Sequence, residues 1–387
     1  PVTDVTFVKF NQEIRKTEIT RPIDKAPFVP SDKAALSSRA EAILRIQSYG
    51  LKKRLEHTRA KTAVIGVSGG LDSTLSMQAT GLLTRLRHIG CKNVVLGLSG
   101  GLDSTLALLV AVRAMKLLNR PLSDICAVTM PGFGTTKRTH SNSETLCSLL
   151  GVTFKEVNIT AAVNQHFKDI EQDPECLDVT YENSQARERT QILMDVANGF
   201  ADGGIHVGTE DMSEFADGWC TYNGDHISMY DVNAGSTKTM VQMVVRYVAE
   251  TTEDKVLAKA LLDVLDTPVS PELLPPTRNG EIAQKSEDSV GPYNLQDFFL
   301  YYLVDHGFAP EKVLRLADIA YGDEFDHATL KKWLRSYCRR LFSQQFKRSC
   351  LQDGPTLNGF SFSPRTGFTM PSDGSDALYL ATVDALK

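Results

Sequence analysis

The amino-acid sequence predicts an α/β fold, a doubly wound parallel sheet with helices on both faces, followed by a helical C-terminal extension. Three observations lead to this prediction. Short apolar runs alternate with helical patterns along much of the 387-residue chain, and this alternation is typical of parallel sheets whose strands are joined by helices. Polar segments that contain glycine follow several of the runs. After about residue 249 the strand pattern stops and the chain becomes helical.

The predicted strands place three polar segments at one edge of the sheet. The strands are expected at residues 63–67, 94–98, 125–130, 154–159 and 205–207. S-G-G-L-D-S-T follows Leu98, P-G-F-G-T-T follows Met130 and G-T-E-D-M-S-E follows Val207. Because ligands of such sheets gather at the carboxyl ends of the strands, we expect the functional site there.

The segment S-G-G-L-D-S-T occurs twice, at residues 68–74 and 99–105. An apolar run, a glycine-rich turn and a helix start form an anion site, because backbone N–H groups, serine hydroxyls and the helix dipole all favour negative charge. The sequence contains no G-x-x-x-x-G-K-[ST] motif. Asp72 and Asp103 instead place a carboxylate inside each loop, which suits Mg²⁺ bound to phosphates. We therefore predict a phosphate loop that supplies its own metal ligand.

The repeated loop belongs to a longer tandem repeat. Residues 46–75 and 77–106 are identical at 17 of 30 positions. Two copies are too few for a stacked repeat fold, so we interpret the repeat as a local duplication. The helix after the second copy is apolar on nearly every side, whereas the helix after the first has one apolar stripe and belongs at the surface. We therefore predict that residues 99–105 form the working loop. The stripe consists of Leu75, Ala79, Leu82, Leu83 and Leu86.

The chain divides into a connector and one large domain. Residues 1–31 are polar, contain four prolines and lack sustained periodicity, which indicates an extended connector. Residues 32–387 form the predicted domain, with the tandem repeat inside it. Residues 266–292 are rich in turn formers, and two interpretations stay open for them, a mobile lid over the site or a plain surface loop.

Composition excludes several classes of protein. The chain is 42% hydrophobic and 23% charged, which is ordinary for a globular protein with a substantial core. Its net charge of −5 argues against a nucleic-acid binder. No run of 18 apolar residues indicates a membrane span. Seven cysteines without a C-x-x-C motif fit reduced thiols. We expect a cytoplasmic protein with neither nucleic-acid nor membrane partners.

Two further groups of residues are candidates for binding charged parts of a ligand. Asn183 and Arg187 are four residues apart and share a helix face, where they could grip a phosphate or a carboxylate. A solvated helix face is the alternative. Glu214 follows the strand at residues 205–207 and could meet Asp103 across the cleft as a second Mg²⁺ ligand.

A later loop combines aromatic and polar side chains. The segment G-W-C-T-Y-N-G-D-H at residues 218–226 suits stacking on a flat ring, although core packing could equally explain Trp219. Lys238 and the pair Lys347–Arg348 are candidate cations for phosphate. Basic residues of this kind are more often simply part of the surface.

Taken together, these motifs resemble those of the synthetase part of glutamine-dependent NAD(+) synthetase, a member of the ATP pyrophosphatase (PP-loop) group. The resemblance covers about residue 3 to the C-terminus. The phosphate loop alone indicates only that group, and the later motifs narrow it. They are A-V-T-M-P-G-F-G-T-T, Y-E-N-S-Q-A-R-E-R-T-Q, G-W-C-T-Y-N-G-D-H, S-Q-Q-F-K-R-S-C and M-P-S-D. The resemblance implies an adenine nucleotide α-hydrolase-like fold and ATP-dependent amidation of deamido-NAD to NAD, with release of AMP and pyrophosphate.

The resemblance also implies roles for individual residues. Asp103 and Glu214 would bind Mg²⁺, and no side chain is expected to act as a catalytic nucleophile, because positioning and charge neutralisation carry the reaction. ATP would be bound by Ser99, Gly100, Gly101, Leu102, Asp103, Ser104, Thr105 and Thr209. Deamido-NAD would be bound by Asn183, Arg187, Glu214, Trp219, Cys220, Thr221, Tyr222, Lys238 and Lys347.

Several features depart from the family pattern. The family's N-terminal glutaminase domain is expected to be absent from this chain, so ammonia is the expected nitrogen donor. The tandem repeat is foreign to the family. Glu210 stands where glycine is usual and Asp217 where an apolar residue is usual, and we expect both to repel a phosphate ligand. The family implies a homodimer. Two alternatives stay open, a catalytically silent ATP-binding module and another PP-loop adenylating ligase.

Overall fold

The computed structural model describes residues 19–20, 22–27, 72–270, 273–275, 286–357, 360–365 and 367–386. The predicted strand at residues 63–67, residues 68–71 of the first loop copy and most of the connector lie outside the described residues. The connector residues that are described pack against the C-terminal part of the chain. Tyr321 donates a hydrogen bond from its hydroxyl to the Lys25 carbonyl at 2.6 Å.

The sheet has five parallel strands in the order β3-β2-β1-β4-β5. The strand order reverses at β1, so the predicted doubly wound parallel sheet is confirmed. The strands are β1 (Asn93–Gly97), β2 (Ile125–Thr129), β3 (Thr153–Glu156), β4 (Gly204–Gly208) and β5 (Tyr230–Asp231).

The predicted strands agree with these bounds except at two places. β3 ends three residues earlier than expected, because Ile159 already caps the following helix. β5 was not predicted. It has only two residues, and its pairing with Val207 and Gly208 of β4 defines it rather than an apolar run of its own.

Helices cover both faces of the sheet. α2 (Leu102–Leu117) is buried on almost every side, as its sequence predicts. The face of the sheet that α2 covers also packs against α1 (Asp72–Ile89), α3 (Lys137–Leu150), α7 (Lys238–Thr251) and α8 (Lys255–Leu265). The opposite face of the sheet packs against α4 (Thr160–Asp169) and α5 (Val179–Asn198). All five stripe residues of α1 are buried, while its polar side includes the exposed Arg87 and His88. The prediction of a surface helix with one buried face is therefore confirmed.

The C-terminal part is helical, as predicted, and forms a separate apolar cluster that reaches α6 (Met212–Asp217). Its helices are α9 (Ser286–Val290), α10 (Tyr293–Phe299), α11 (Pro310–Tyr321), α12 (His327–Ser343), α13 (Gln345–Arg348) and α14 (Ala377–Ala385), with a π-helical turn at Leu300–Asp305. Among the described residues, no helix combines the length and apolar character that crossing a membrane requires.

Candidate functional site

The second loop copy joins β1 to α2 and presents its polar atoms at the carboxyl end of the sheet. Ser99 Oγ lies 3.0 Å from Ser104 Oγ and accepts a hydrogen bond from the Gly101 amide at 3.2 Å. The Ser104 and Thr105 hydroxyls both contact the Gly101 carbonyl. The side chains therefore hold the turn at the N-terminus of α2, where the helix dipole favours an anion.

Gly100 is required by the shape of this turn. Its φ is +82°, in the left-handed region that disfavours other residues, and a Cβ there would collide with the Thr139 carbonyl of α3. The loop can therefore lie directly against α3. Ser143 reinforces the contact by donating a hydrogen bond to the Leu98 carbonyl at 3.1 Å.

Beside the loop, three carboxylates surround one buried lysine. Lys238 Nζ lies 2.7 Å from Asp103 Oδ2, 3.0 Å from Asp211 Oδ2 and 2.9 Å from Glu214 Oε1. One oxygen from each carboxyl group lies within 4.8 Å of the others, a spacing that a metal ion could bridge. The predicted approach of Glu214 to Asp103 is therefore present in the structure. We call Asp103, Asp211, Glu214 and Lys238 the carboxylate–lysine cluster.

Charge and burial oppose each other in this cluster. Burial raises the pKa of both aspartates, although the nearby ammonium counteracts it. Burial also disfavours a charged Lys238, but the three carboxylates outweigh it, so the lysine pKa lies well above its usual value. Burial likewise opposes ionisation of Glu214, but the Lys238 charge and hydrogen bonds lower its pKa below the usual value. Lys238 therefore remains an ammonium group within a negatively charged site.

Asp211 is a site residue that the sequence analysis missed. It is the N-cap of α6, and its Oδ1 accepts a hydrogen bond from the Glu214 amide at 2.9 Å. An Asp followed three residues later by Glu is a signature of a helix start, and this signal could have located it. Because the cap orients both residues, Asp211 and Glu214 enter the cluster together.

Buried polar residues fix the elements that carry the cluster. Asp297 of α10 accepts hydrogen bonds from the Ser213 hydroxyl and from the Thr239 amide and hydroxyl. The Ser213 hydroxyl in turn accepts a hydrogen bond from the Lys238 amide at 2.8 Å. Asn233 donates to the carbonyls of Asp103 and Thr209 at 3.0 and 2.9 Å. These contacts join α6, α7 and α10 and connect the phosphate loop to the end of β4.

The two unusual acidic residues lie in different places. Glu210 lines the cavity described below, and burial followed by repulsion from Glu214 raises its pKa well above the usual value. A raised pKa weakens the repulsion that this side chain exerts on a phosphate. Asp217 does not line that cavity. Burial raises the pKa of Asp217 to about 7, and one of its oxygens has no hydrogen-bond partner among the described residues.

The residues predicted to hold the dinucleotide gather around the loop at residues 218–226. Thr221 Oγ1 donates to Asn183 Oδ1 at 2.7 Å, and Arg187 Nε donates to the Tyr222 carbonyl at 3.2 Å. The spacing of four residues along α5 therefore turns Asn183 and Arg187 towards the same loop. Trp219 Nε1 donates to Ser286 Oγ at 3.2 Å, which links the loop to α9.

Two basic residues from the C-terminal part of the chain contact the loop at residues 218–226 and the helix before it. Lys347 Nζ donates to the carbonyls of Gly218 and Cys220 at 2.9 and 2.7 Å. Arg348 is buried and donates to the carbonyls of Phe215 and Ala216 at the end of α6. Cations are favoured at a helix C-terminus by the helix dipole. Lys347 and Arg348 therefore determine where the loop lies.

A cavity of about 240 Å³ lies between the phosphate loop and the turn-rich segment. Its lining includes Ser99, Gly101 and Asp103 of the phosphate loop, together with Thr209 and Glu214. Residues 267–270, together with Leu273 and Ser286, form part of its wall. The described residues of the turn-rich segment thus line the cleft, a position compatible with the lid interpretation.

Eight of the seventeen predicted site residues line this cavity. The other nine, which do not line it, are Gly100, Thr105, Asn183, Arg187, Cys220, Thr221, Tyr222, Lys238 and Lys347. The cavity lining contains Ser99, Gly101, Leu102, Asp103, Ser104, Thr209, Glu214 and Trp219. Lys238, a predicted phosphate-binding residue for deamido-NAD, is fully buried among three carboxylates, because its position at the start of α7 faces α6.

Comparison with known proteins shows one family. The sequence profile described as NAD synthase matches residues 77–332. Its match begins after the first repeat copy and includes the second loop. Glutamine-dependent NAD(+) synthetase from Mycobacterium leprae is 40% identical over 95% of the chain, and that from Mycobacterium tuberculosis is 41% identical over the same share. The chain spans about half the length of these relatives, 52% in both cases.

Solved structures show the same fold. A glutamine-dependent NAD(+) synthetase from Cytophaga hutchinsonii matches with a TM-score of 0.67 and 18% identity, over 81% of this chain and 56% of that one. An NMN synthetase from Francisella tularensis matches with a TM-score of 0.51 and 21% identity, over 68% of this chain and 96% of that one. At these identities the likeness concerns the fold alone.

Proposed function

The chain belongs to the NAD synthase family, and from this premise we propose that it amidates deamido-NAD to NAD at the expense of ATP. The observation that carries the proposal is the meeting of Asp103 and Glu214 beside an anion-binding loop. A loop that favours phosphate and a cluster that favours cations share Asp103. The substrate that fits both is a nucleotide triphosphate with a bound metal ion.

We propose two successive steps. The nicotinate carboxylate of deamido-NAD attacks the α-phosphorus of ATP, so that a carboxylate O–P bond forms, the bond to the β-phosphate oxygen breaks and pyrophosphate leaves. Ammonia then attacks the acyl carbon, the C–O bond to AMP breaks, and ammonia gives up a proton to leave the amide. The first step is necessary because a free carboxylate has no acceptable leaving group. Both steps depend on positioning and charge neutralisation, so we assign no catalytic nucleophile.

The cluster fits Mg²⁺ by the chemistry of its ligands. Carboxylate oxygens are ligands that Mg²⁺ uses together with substrate phosphates. Asp103 Oδ1 is buried and has no hydrogen-bond partner among the described residues, so it is available to a cation. Burial opposes ionisation of Asp103 and Asp211, and a metal ion bound to their oxygens would favour the ionised forms. We assign Asp103 and Glu214 as metal ligands and add Asp211 as a third candidate. Bound Mg²⁺ would neutralise charge on the phosphates.

The remaining residues divide into two binding groups. For the nucleotide we propose Ser99, Gly100, Gly101, Leu102, Ser104, Thr105 and Thr209, which lie along the loop and the end of β4. For deamido-NAD we propose Asn183, Arg187, Trp219, Cys220, Thr221, Tyr222 and Lys347, which surround the loop at residues 218–226, and we place Glu214 between the two groups. Lys238 competes with Mg²⁺ for the same oxygens and becomes available to a phosphate only when the metal displaces it.

A turnover assay with paired variants tests this proposal. The chain is incubated with deamido-NAD, ATP, Mg²⁺ and ammonium, and NAD and pyrophosphate are both measured. Asp103→Asn should abolish NAD formation, while the matched change Asp72→Asn in the first loop copy should leave it intact. The opposite result would mean that the first copy is the working loop.

Substitute substrates separate the alternatives. Replacement of ammonium by glutamine should give no NAD, because ammonia is the proposed donor. ATP binding without pyrophosphate release would indicate a silent nucleotide-binding module. Pyrophosphate release with another carboxylate, but not with deamido-NAD, would indicate a different adenylating ligase. We also propose that the chain forms a homodimer, which light scattering in solution can test.

A further inference from the structure

His206 is a buried polar residue that the proposed reaction does not use. It lies on β4 between Ile205 and Val207, and only 4% of its surface is exposed. Because side chains alternate along a strand, it points away from the core face that Ile205 and Val207 occupy. It pairs in register with Val95 of β1 and lines the same cavity as the phosphate loop.

The surroundings of the imidazole leave it without a partner. Its Nδ1 atom is buried and makes no hydrogen bond with any described residue. The cavity that His206 lines includes Gly97, Val128 and Leu193, which offer no side-chain polar atoms, as well as the polar Thr129 and Thr190. A buried polar atom without a partner costs about 1–3 kcal/mol. Simple packing would therefore favour an apolar residue at this position.

The imidazole is neutral in this environment. Burial lowers the pKa of His206 to about 4. A neutral imidazole has one N–H donor and one bare nitrogen acceptor. A cavity lined by apolar residues together with a few polar groups, of which His206 is one, suits a flat heteroaromatic ring whose edge carries nitrogen atoms.

We propose that His206 hydrogen-bonds the edge of the nucleotide base and is a binding determinant for the purine of ATP. This inference rests on the proposed function, because it takes the phosphate loop as the site of the triphosphate. The loop and His206 line one cavity, so a nucleotide held by its phosphates at Ser99 and Gly101 can extend its base along the wall towards β4. His206 then gains the hydrogen-bond partner that no described residue supplies.

Two probes that differ in the base test the proposal. Calorimetric titrations in the presence of Mg²⁺ compare ATP with inorganic tripolyphosphate, which offers the same kind of phosphate chain and no base. His206→Leu should weaken ATP binding about tenfold, as expected for loss of a buried hydrogen bond. It should leave tripolyphosphate binding within about twofold. His206→Gln, which retains a donor and an acceptor, should recover part of the ATP affinity.

Tyr337→Phe is the matched control. The Tyr337 hydroxyl is also buried without a hydrogen-bond partner among the described residues, but it lies in the C-terminal core outside the cavity lining. This variant should bind both probes like the original chain. Equal weakening of both probes by His206→Leu, or unchanged ATP binding, would overturn the proposal.

A measurement on the unmodified chain covers the case in which the His206 variants do not fold. The imidazole ¹⁵N resonances of His206 should shift on addition of ATP and remain in place on addition of tripolyphosphate. Identical spectra with the two probes would contradict a base contact. If the unmodified chain binds neither probe, the proposed nucleotide site fails, a result that differs from failure of the His206 contact alone.

Discussion

Replacement of Lys238 by methionine should convert the carboxylate–lysine cluster into an unpaired acidic site. The Lys238 side chain is fully buried, and one oxygen from each of Asp103, Asp211 and Glu214 lies within 3.0 Å of its ammonium nitrogen. Removal of one partner from a buried charge group typically costs about 3–5 kcal/mol. We expect Lys238→Met to lower the free energy of unfolding by about this amount at neutral pH.

The loss of unfolding free energy in Lys238→Met should depend on pH and on Mg²⁺. Without the ammonium, the pKa of Glu214 in the folded state should rise above its unfolded value, and the pKa values of Asp103 and Asp211, which burial already raises, should rise further. Groups of this kind contribute stability below the unfolded pKa and lose it as pH rises through the folded pKa. The variant should therefore be less destabilised near pH 5 than near pH 8. Mg²⁺ bound only to the folded state at 100 times its dissociation constant restores about 2.7 kcal/mol.

Urea unfolding of Lys238→Met at pH 5 and pH 8, with and without Mg²⁺, measures both effects. Lys312→Met is the control, because Lys312 is an exposed cation over the Phe308 ring and contributes little stability. A loss below about 1 kcal/mol that neither pH nor Mg²⁺ alters would refute the assignment of Lys238 as the resident cation of the cluster.

Three further predictions concern neighbouring residues. Burial raises the pKa of Asp217 from 3.8 to about 7, so stability should fall by up to about 4 kcal/mol as pH rises through this interval. Asp217→Asn should reduce that slope in urea unfolding, and an unchanged slope would contradict the assignment. Lys347→Met should raise the KM for deamido-NAD about tenfold and leave the KM for ATP unchanged in steady-state assays, whereas equal shifts would indicate general damage. Gly100→Ala should abolish ATP binding, because the added Cβ meets the Thr139 carbonyl. Gly151→Ala, which has a similar φ but open space, should show only the strain of about 1–2 kcal/mol, and equal effects on ATP binding would contradict the steric reasoning.

The sheet was largely predictable because its strands carry a local signal. β1, β2 and β4 are short apolar runs that end at polar turns, and their predicted and observed bounds differ by at most one residue. β5 carries no such signal. Its two residues adopt strand geometry because β4 lies beside them, and a neighbour in space cannot be read from periodicity.

The site was predictable where spacing along one element decides the geometry. Asn183 and Arg187 face one loop because they are four residues apart on a helix, and the phosphate loop follows from its glycines. The position of Lys238 depends instead on how α7 packs against α6. Its sequence neighbours give no sign of three carboxylates from two other segments, so its burial could not be predicted.

One part of the cleft favours an anion and another part favours a cation, so no single simple ion suits both. The N-terminus of α2 and the Ser99 and Ser104 hydroxyls favour an anion, whereas the carboxyl oxygens of the carboxylate–lysine cluster are ligands that favour a cation. Asp103 belongs to both, since it lies in the first turn of α2 and contacts Lys238. An anion alone would be repelled by the carboxylates, and a cation alone would leave the loop donors without an acceptor. A metal-bound phosphate satisfies both preferences, so the electrostatics of the cleft favour a metal–nucleotide complex over free phosphate or free metal.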